Sequence, residues 1–290
     1  MTVRMPRSYL FVPGNRPERF DKAMAAGADA VILDLEDAVP LADKAAAREA
    51  VQTWLAARER SGPVQIVVRI NAGDSAEHAA DVAACAAVTP HAAMCPKAHD
   101  AGEMTTLAQR LGPEVPLLPL IERAAGFANA AAPAQVPQVQ RLVFGSIDFQ
   151  LDLGIETEDA GEGEELLYFR SQLVLVSRLA NLAAPVDGVS TALDDAPALL
   201  ADAQRARRLG FGAKLCIHPK QVAPVHQAFA PDAQQIEWAR RVVAAAEAAG
   251  GAAVQLDGRM VDRPVILKAQ EVLARADNPA PAKQNQEPDR

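Results

Sequence analysis

The chain contains 290 residues with a formal net charge of −8; 50% of its residues are hydrophobic and 4% are aromatic. The negative charge argues against nucleic acid as the main partner, because nucleic-acid binding requires a basic face. A composition rich in aliphatic residues and alanine is typical of helices packed around a sheet of Val, Ile and Leu. The length fits an α/β barrel, which commonly takes about 200 to 250 residues as one domain.

The cysteines and the apolar runs bear on the compartment. Cys85, Cys95 and Cys216 are odd in number and lack C-x-x-C spacing, so neither a disulfide framework nor a zinc site is expected. Such a chain is expected in a reducing cytoplasm. No run approaches about 18 uninterrupted apolar residues, and no long apolar segment follows the N-terminus, so we expect neither membrane contact nor an export signal.

Eight apolar runs recur along residues 1–230 and alternate with alanine-rich segments of helical spacing. The predicted strands are 8–12, 30–35, 65–70, 92–95, 117–121, 142–145, 185–188 and 213–217. The main predicted helices are 16–26, 41–59, 75–87, 100–111, 166–182, 194–209 and 221–228. Strict alternation of this kind favours a closed (β/α)8 barrel over an open sheet. No G-x-G-x-x-G follows the first strand, which argues against dinucleotide binding.

The segments outside this alternation are predicted as follows. Residues 231–276 form a C-terminal helical appendage, which we interpret as a cap or oligomerisation segment. Residues 277–290 are rich in Pro, Gln and Asn and are predicted to be disordered. The acidic stretch 156–165 is predicted to be a solvated loop, with a flexible lid over the site as the alternative.

Two apolar runs in the middle of the chain each end on a lone carboxylate. Glu122 follows the run 117–121, and Asp148 follows the run 142–147. The carboxyl ends of parallel barrel strands meet at one rim, where active sites of this fold lie. Two oxygen ligands at that rim suit a partly hydrated Mg²⁺ with positions open for substrate, and Mn²⁺ favours the same ligands.

Nearly every predicted strand delivers a further polar side chain to that rim. These side chains are Glu36, Asp37, Arg69, Asn71, Lys97, Asp187 and His218. A single carboxylate in such a place is most often a helix N-cap or a surface charge, and His218 before Pro219 is equally suited to fixing a turn. Arg69 lies inside an apolar run and therefore needs a partner.

Taken together, these residues suggest one kind of chemistry. A metal held by two carboxylates can chelate a 2-oxo or 2-hydroxy acid and polarise its oxygen. An arginine beside the metal can bind the substrate carboxylate and stabilise negative charge. The constellation therefore predicts cleavage or formation of a carbon–carbon bond next to that oxygen.

Six motifs of the chain resemble the HpcH/HpaI aldolase and citrate lyase beta-subunit family. They are RSYLFVPG at 7–14, ADAVILDLEDAV at 28–39, VRIN at 68–71, PLIE at 119–122, FGSID at 144–148 and CIHPK at 216–220. Together with MVDRP at 260–264 they occur in order and span nearly the whole chain. The resemblance implies a Mg²⁺-dependent TIM barrel that makes or breaks 2-hydroxyacyl-CoA esters such as malyl-, citramalyl- or citryl-CoA. The products of cleavage are an acyl-CoA and a 2-oxo acid.

The resemblance also implies roles for individual residues. Glu122 and Asp148 match the family's metal ligands, and Arg69 together with Glu122 matches the site for the substrate carboxylate. Glu36 and Asp37 match the residues that surround this site.

A further carboxylate, Asp262, matches one that relatives bring from a neighbouring subunit. In those relatives it serves as acid or base at the α-carbon of the acyl-CoA. The resemblance therefore implies a homo-oligomer, a trimer or a multiple of one.

The chain departs from the family pattern at two places beside the expected metal ligands. Relatives often carry Glu-Thr where this chain has Glu122-Arg123, and Glu-Asp where it has Ile147-Asp148. Three other functions remain open at this point. They are an aldolase for free 4-hydroxy-2-oxo acids, a thioesterase acting on malyl-CoA-like esters, and a binding or scaffold subunit without turnover.

Overall fold

A computed structural model of the chain describes residues 5–157, 163–250 and 253–276. The chain divides into two compact units, Met1–Val225 and His226–Arg290. Residues 158–162 of the predicted acidic loop and the whole predicted tail, 277–290, lie outside the described residues.

The first unit is a closed barrel of eight parallel strands in sequence order, with β1 paired to both β2 and β8. The strands are β1 (Ser8–Pro13), β2 (Ala30–Asp34), β3 (Gln65–Arg69), β4 (Ala92–Cys95), β5 (Leu117–Ile121), β6 (Val143–Phe144), β7 (Val186–Asp187) and β8 (Ala213–Cys216). This order confirms the predicted (β/α)8 barrel. It also brings the carboxyl ends of all eight strands to one rim.

Helices surround the strands. They are α1 (Phe20–Met24), α2 (Lys44–Ala56), α3 (His78–Val88), α4 (Ala101–Leu111), α5 (Ala124–Asn129), α6 (Ala131–Ala134), α7 (Ser146–Leu153), α8 (Leu167–Leu179), α9 (Ala196–Leu209) and α10 (Val222–Phe229). The sequence analysis missed α5, α6 and α7. These helices have only four to eight residues, which is too few for a helical period to stand out.

The barrel interior is filled by alternate residues of the strands. The buried cluster consists of Tyr9, Ala30, Ile32, Val67, Ala92, Met94, Leu118, Leu120, Val143, Val186, Ala213 and Leu215. Because successive side chains of a strand point to opposite faces, the residues between these positions face the helices. The aliphatic side chains of the chain therefore form two apolar layers, one inside the barrel and one beneath the helices.

A buried ionic network fastens two helices to the outside of the barrel. Asp187 of β7 and Lys214 of β8 are both fully buried, and Asp187 Oδ2 lies 3.1 Å from Lys214 Nζ. Arg170 of α8 donates to Asp187 Oδ1 at 2.8 Å, and Asp202 of α9 lies 2.5 Å from Lys214 Nζ. The expectation that Asp187 belongs to the rim is therefore wrong. Its neighbour Val186 faces the barrel interior, so Asp187 faces the helices.

Within its described residues, the second unit contains two further helices and a hairpin after the end of α10. They are α11 (Ala233–Ala248), β9 (Val254–Leu256), β10 (Arg259–Val261) and α12 (Arg263–Ala276), with β9 and β10 antiparallel. The sequence analysis did not identify the hairpin, although Asp257 and Gly258, both with positive φ, form the Asp-Gly turn typical of one. Its apolar cluster includes Val242 and Val261. None of the helices in the described part of the chain is long and apolar enough to cross a bilayer.

Removing the carboxylate of Asp187 from the buried ionic network outside the barrel should destabilise the first unit. The Asp187→Ala variant leaves Lys214 and Arg170 buried with one acceptor fewer, and we expect its free energy of unfolding to fall by about 3 to 5 kcal/mol. Urea unfolding followed by the fluorescence of Trp54 in a Trp238→Phe background measures this, because the chain has two tryptophans, one in each unit.

Asp194→Ala is the matched control. Asp194 lies 2.8 Å from Lys220, but both side chains are largely exposed, so we expect no measurable change in the free energy of unfolding. Equal effects of the two substitutions would contradict the importance assigned to the buried network.

Candidate active site

The carboxyl ends of the barrel strands enclose a cavity of about 430 Å³. Four of the side chains predicted for the site line it, namely Asp37, Arg69, Glu122 and Asp148. Glu36 lies beside them in contact with Arg69. The structure therefore brings these five side chains together at one rim.

Arg69, at the end of β3, is held by carboxylates. Its Nε and Nη2 donate to the two oxygens of Asp34, each at 2.6 Å. Its Nη1 lies 3.1 Å from Glu36 and 3.8 Å from Asp37. Burial opposes the charge of Arg69, but these three carboxylates outweigh it and raise the pKa of the guanidinium. Because a guanidinium has five N–H groups, one on Nη1 and one on Nη2 remain available to a further acceptor.

Strand register explains why Asp34 and Arg69 meet. The two residues are direct partners in the β2–β3 pairing, and Asp34 is fully buried. The sequence analysis predicted that Arg69 needs a partner but missed Asp34, which lies within the predicted strand 30–35. A signal was present, since each strand ends on a charged residue of opposite sign after four residues.

The same carboxylate organises the loop that follows β2. Asp34 also accepts a hydrogen bond from the backbone N–H of Glu36 at 2.9 Å. Lys44 of α2 donates to the carbonyl oxygens of Leu35 and Glu36 and to Asn71 Oδ1, at 2.7 to 2.8 Å. The sequence analysis missed Lys44 as well. These bonds hold the loop after β2 against the end of β3, and so position Glu36.

Glu36 is buried between two cations. Its Oε2 lies 3.1 Å from Arg69 Nη1, and its Oε1 lies 3.1 Å from Lys97 Nζ. Burial raises the pKa of Glu36, and the charges of Arg69 and Lys97 partly offset this rise. The result is a chain of alternating charges along the rim, formed by Arg69, Glu36 and Lys97.

Glu122 follows β5 and is only 2% exposed. Its Oε1 accepts the backbone N–H of Lys97 at 2.8 Å. Burial raises the pKa of Glu122 to about 8; Glu36 and Asp148 add to the rise, while the Lys97 N–H and Arg69 oppose it. A buried carboxyl with two acidic neighbours gains most from a cation bound against it.

Asp148 is presented by a helix and not by a strand end. The predicted run 142–147 breaks at Phe144, where β6 ends, and Asp148 lies on the first turn of α7. Gly145 makes this junction possible. A Cβ at Gly145 would lie 2.5 Å from Glu122 Cβ and 2.8 Å from Glu122 Oε2, so a larger residue would displace the carboxylate.

The donor set of Glu122 and Asp148 fits a hard divalent cation. Mg²⁺ is commonly bound through one or two carboxylates and completes its octahedron with water and substrate oxygens. Within residues 5–157, 163–250 and 253–276, no group of three or more His, Cys, Asp or Glu side chains could hold a metal. A cation bound by this pair would therefore keep positions open for substrate.

Five other predicted residues do not line this cavity. Asn71 accepts a hydrogen bond from Lys44, and Lys97 pairs with Glu36.

Asp187 faces the helices, and His218 Nδ1 accepts the backbone N–H of Lys220 at 3.2 Å, where it caps a short helical turn. Asp262 belongs to the second unit. Its Oδ1 lies 3.4 Å from the backbone nitrogen of Val265, at the start of α12.

Comparison with known proteins identifies the family of this barrel. The family model described as HpcH/HpaI aldolase/citrate lyase matches residues 7–219. The chain belongs to the HpcH/HpaI aldolase/citrate lyase family. A citrate lyase subunit beta-like protein of Deinococcus radiodurans is 39% identical over 282 residues, which cover 92% of this chain and 96% of that protein. A (3S)-malyl-CoA thioesterase of Cereibacter sphaeroides is 34% identical over 280 residues, covering 93% and 94%.

Solved structures of the family agree with the fold. The crystal structure of CitE from Mycobacterium tuberculosis in complex with magnesium, acetoacetate and coenzyme A has a TM-score of 0.84 and 35% sequence identity. The match covers 96% of this chain and 100% of that chain. The region matched by the family model contains Arg69, Glu122 and Asp148, whereas Asp262 lies beyond it.

The raised pKa of Glu122 predicts how the stability of this family member depends on pH. Its folded pKa, about 8, lies above the ordinary value of 4.5. The favourable contribution of the neutral carboxyl is therefore present below about pH 4.5 and is lost as the pH rises to about 8. Urea unfolding at pH 6 to 9 in the presence of chelator should show this loss in the wild type and not in Glu122→Gln.

Glu49→Gln, an exposed change on α2, is the control and should follow the wild-type curve. If wild type and Glu122→Gln lose stability in parallel between pH 6 and 9, the raised pKa is wrong.

Proposed function

We propose that this chain is a Mg²⁺-dependent carbon–carbon lyase. It cleaves or forms CoA esters of the malyl-, citramalyl- or citryl-CoA type, in which the hydroxyl lies on the carbon β to the thioester, with an acyl-CoA and a 2-oxo acid on the other side of the reaction. The observation that carries the proposal is the placement of Glu122, Asp148 and Arg69 on one cavity, with Glu122 and Arg69 buried. Magnesium and coenzyme A in the CitE crystal structure support it.

Two residues of the chain would hold the metal. Glu122 and Asp148 supply the carboxylates, and magnesium, when bound, polarises the substrate oxygen as a Lewis acid. Glu122 must lose its proton to serve as a ligand, so metal binding releases a proton below about pH 8.

Arg69 orients the 2-oxo acid. Its remaining N–H groups on Nη1 and Nη2 can donate to the substrate carboxylate while Asp34 holds the other edge of the guanidinium. Because the partners on β2 fix the guanidinium before substrate arrives, binding costs little side-chain entropy. Its positive charge also stabilises the negative charge that develops on the oxo acid.

Asp262 handles the proton at the α-carbon. In the cleavage direction the substrate hydroxyl gives its proton to water, and the carbon–carbon bond breaks to give the 2-oxo acid and the enolate of the acyl-CoA. The α-carbon of that enolate takes a proton from Asp262, which regains one from solvent. In the direction of synthesis Asp262 removes that proton. We propose that a neighbouring subunit supplies Asp262, so that the active assembly is a trimer or a multiple of one.

Mass-spectrometric turnover of malyl-, citramalyl-, β-methylmalyl- and citryl-CoA tests the proposal. We expect metal-dependent release of an acyl-CoA and a 2-oxo acid by the wild type, lost in chelator and lowered by at least about a thousandfold in Glu122→Gln. Glu49→Gln is the matched control and should retain wild-type turnover. Cleavage of none of the four esters by the wild type would overturn the lyase assignment.

The same measurement addresses a second activity. Two relatives that are 34% and 33% identical to this chain are (3S)-malyl-CoA thioesterases. Hydrolysis of malyl-CoA would give malate and free CoA, whereas the lyase reaction gives acetyl-CoA and glyoxylate. Free CoA that appears together with malate would indicate direct hydrolysis of malyl-CoA. Free CoA that appears only after acetyl-CoA has formed would indicate that hydrolysis follows the lyase step.

Mixing two inactive variants tests the origin of Asp262. Asp262→Asn keeps the helix cap, because asparagine caps as well as aspartate, and should lower kcat by about 10² to 10⁴-fold. Co-refolding it with Glu122→Gln should restore activity at about one quarter of the sites, those that combine an intact Glu122 with a neighbour's intact Asp262. No recovery, with mixed oligomers verified by native mass spectrometry, would show that Asp262 does not act across subunits.

A further inference from the structure

The cavity at the barrel rim has two unlike halves. Its charged half follows β2, β3, β5 and β6 and carries Asp37, Arg69, Glu122 and Asp148. Since β1 pairs with β8 and β8 pairs with β7, strands β7, β8 and β1 form one continuous arc on the other side of the rim. None of the described residues of β4 contributes a side chain to the cavity. The side chains that this arc contributes are apolar throughout.

The apolar half consists of large side chains. They are Val189 after β7, Leu215 and Ile217 at the end of β8, and Phe11 of β1. Ile147, which precedes Asp148 on α7, adds a further large apolar side chain to the cavity from the charged side. Ile147 and Ile217 are 40% and 42% exposed, although large apolar side chains usually avoid water. An active-site cavity that keeps two isoleucines in contact with solvent has a wall suited to an apolar group of the substrate.

The polar groups nearest Ile217 in the sequence already have partners. The backbone N–H of Ile217 donates to Gln221 Oε1 at 2.8 Å. His218 accepts the backbone N–H of Lys220, and Lys220 Nζ lies 2.8 Å from Asp194.

A substrate carboxylate placed against Ile217 would lose hydration without gaining an unpaired cation, which is unfavourable. Ser146 Oγ also lines the cavity and has no hydrogen-bond partner among the described residues, but a neutral hydroxyl does not balance a carboxylate charge.

We propose that Ile147 and Ile217 select substrates with an alkyl group on the carbon that bears the hydroxyl, and reject those with a further carboxylate there. This inference rests on the proposed function, since Arg69 and the metal ligands fix the 2-oxo acid on the charged half. The third substituent of its carbonyl carbon then faces the apolar half. The chain is thus a lyase for esters derived from 2-oxo acids with an alkyl side chain.

Two substrates isolate this choice. Citramalyl-CoA and citryl-CoA differ only in that the hydroxyl-bearing carbon carries a methyl group in the first and a carboxymethyl group in the second. We expect kcat/KM to favour citramalyl-CoA by about 100-fold or more, because the apolar wall cannot pair the added charge. Equal values, or a preference for citryl-CoA, would overturn the inference and leave the lyase assignment intact.

A charge placed on the wall should reverse part of this preference. In Ile217→Lys the ammonium can pair with the carboxymethyl group, and we expect the ratio of the two kcat/KM values to fall by about tenfold or more. Leu193→Lys is the matched control. Leu193 is also 42% exposed and follows β7, but it does not line the cavity, so the ratio should stay at the wild-type value. An unchanged ratio in Ile217→Lys would refute the role of Ile217.

Equilibrium binding separates failure of this inference from failure of the proposed function. Titration calorimetry with Mg²⁺ compares 2-oxobutanoate with oxaloacetate, whose side chains are ethyl and carboxymethyl. Tighter binding of 2-oxobutanoate, with the difference reduced in Ile217→Lys and not in Leu193→Lys, supports the inference even if no thioester is cleaved. Tighter binding of oxaloacetate by the wild type overturns it whatever the turnover shows.

Discussion

The buried pair of Asp34 and Arg69 is the interaction on which the rim of this barrel depends. Register between β2 and β3 sets the two residues side by side, and the bidentate contact fixes the plane of the guanidinium. Asp34 then orders the loop after β2, and through it Glu36. Glu36 in turn pairs with Lys97, whose backbone N–H contacts Glu122. The ends of β2, β3, β4 and β5 therefore contribute to one layer of charged side chains at the rim of the barrel.

Two buried charge clusters in the same barrel have different character. On the outer face, Asp187 has two cationic partners, and Arg170 and Lys214 hold the pKa of its carboxyl below the ordinary value despite burial. At the rim, Glu122 has acidic neighbours and a raised pKa. The first cluster is electrostatically satisfied and serves packing. In the second cluster the charged form of Glu122 is unfavourable until a cation binds beside it. Sites that bind ligands are often destabilised in this way when no ligand is present.

The sequence predicted the barrel because each strand is a short apolar run bounded by a long helical segment, and periodicity separates these two patterns. It also predicted Arg69, since a charge within an apolar run requires a partner. The sequence did not predict which residues at the strand ends face the barrel interior and which face the helices. Asp187 is the last residue of β7 and Glu122 directly follows β5, so both were predicted to lie at the rim. The face of the sheet that each side chain occupies depends on the register of strand pairing, which local sequence does not reveal.

Contacts between distant segments were harder still to predict. Lys44 lies on an amphipathic helix, where a lysine is ordinarily a solvent-facing residue, and only the folded chain places its ammonium over the carbonyl groups of the β2 loop. The break at Gly145 was hidden for a related reason. Residues 142–147 are apolar enough for a strand, and the turn into α7 follows from the close approach to Glu122, which is distant in sequence.

Gly145 also bears on how this scaffold can evolve. With no room for a Cβ beside Glu122, the junction between β6 and α7 admits almost no variation, and a duplicated gene would be constrained to keep it. Gly188, directly after β7, is restricted in the same way, because a Cβ there would lie 2.2 Å from Ser146 Oγ. The segment 217–222 after β8 contains no glycine. Substitutions that alter substrate choice are therefore accommodated more easily at the end of β8 than at the ends of β6 and β7.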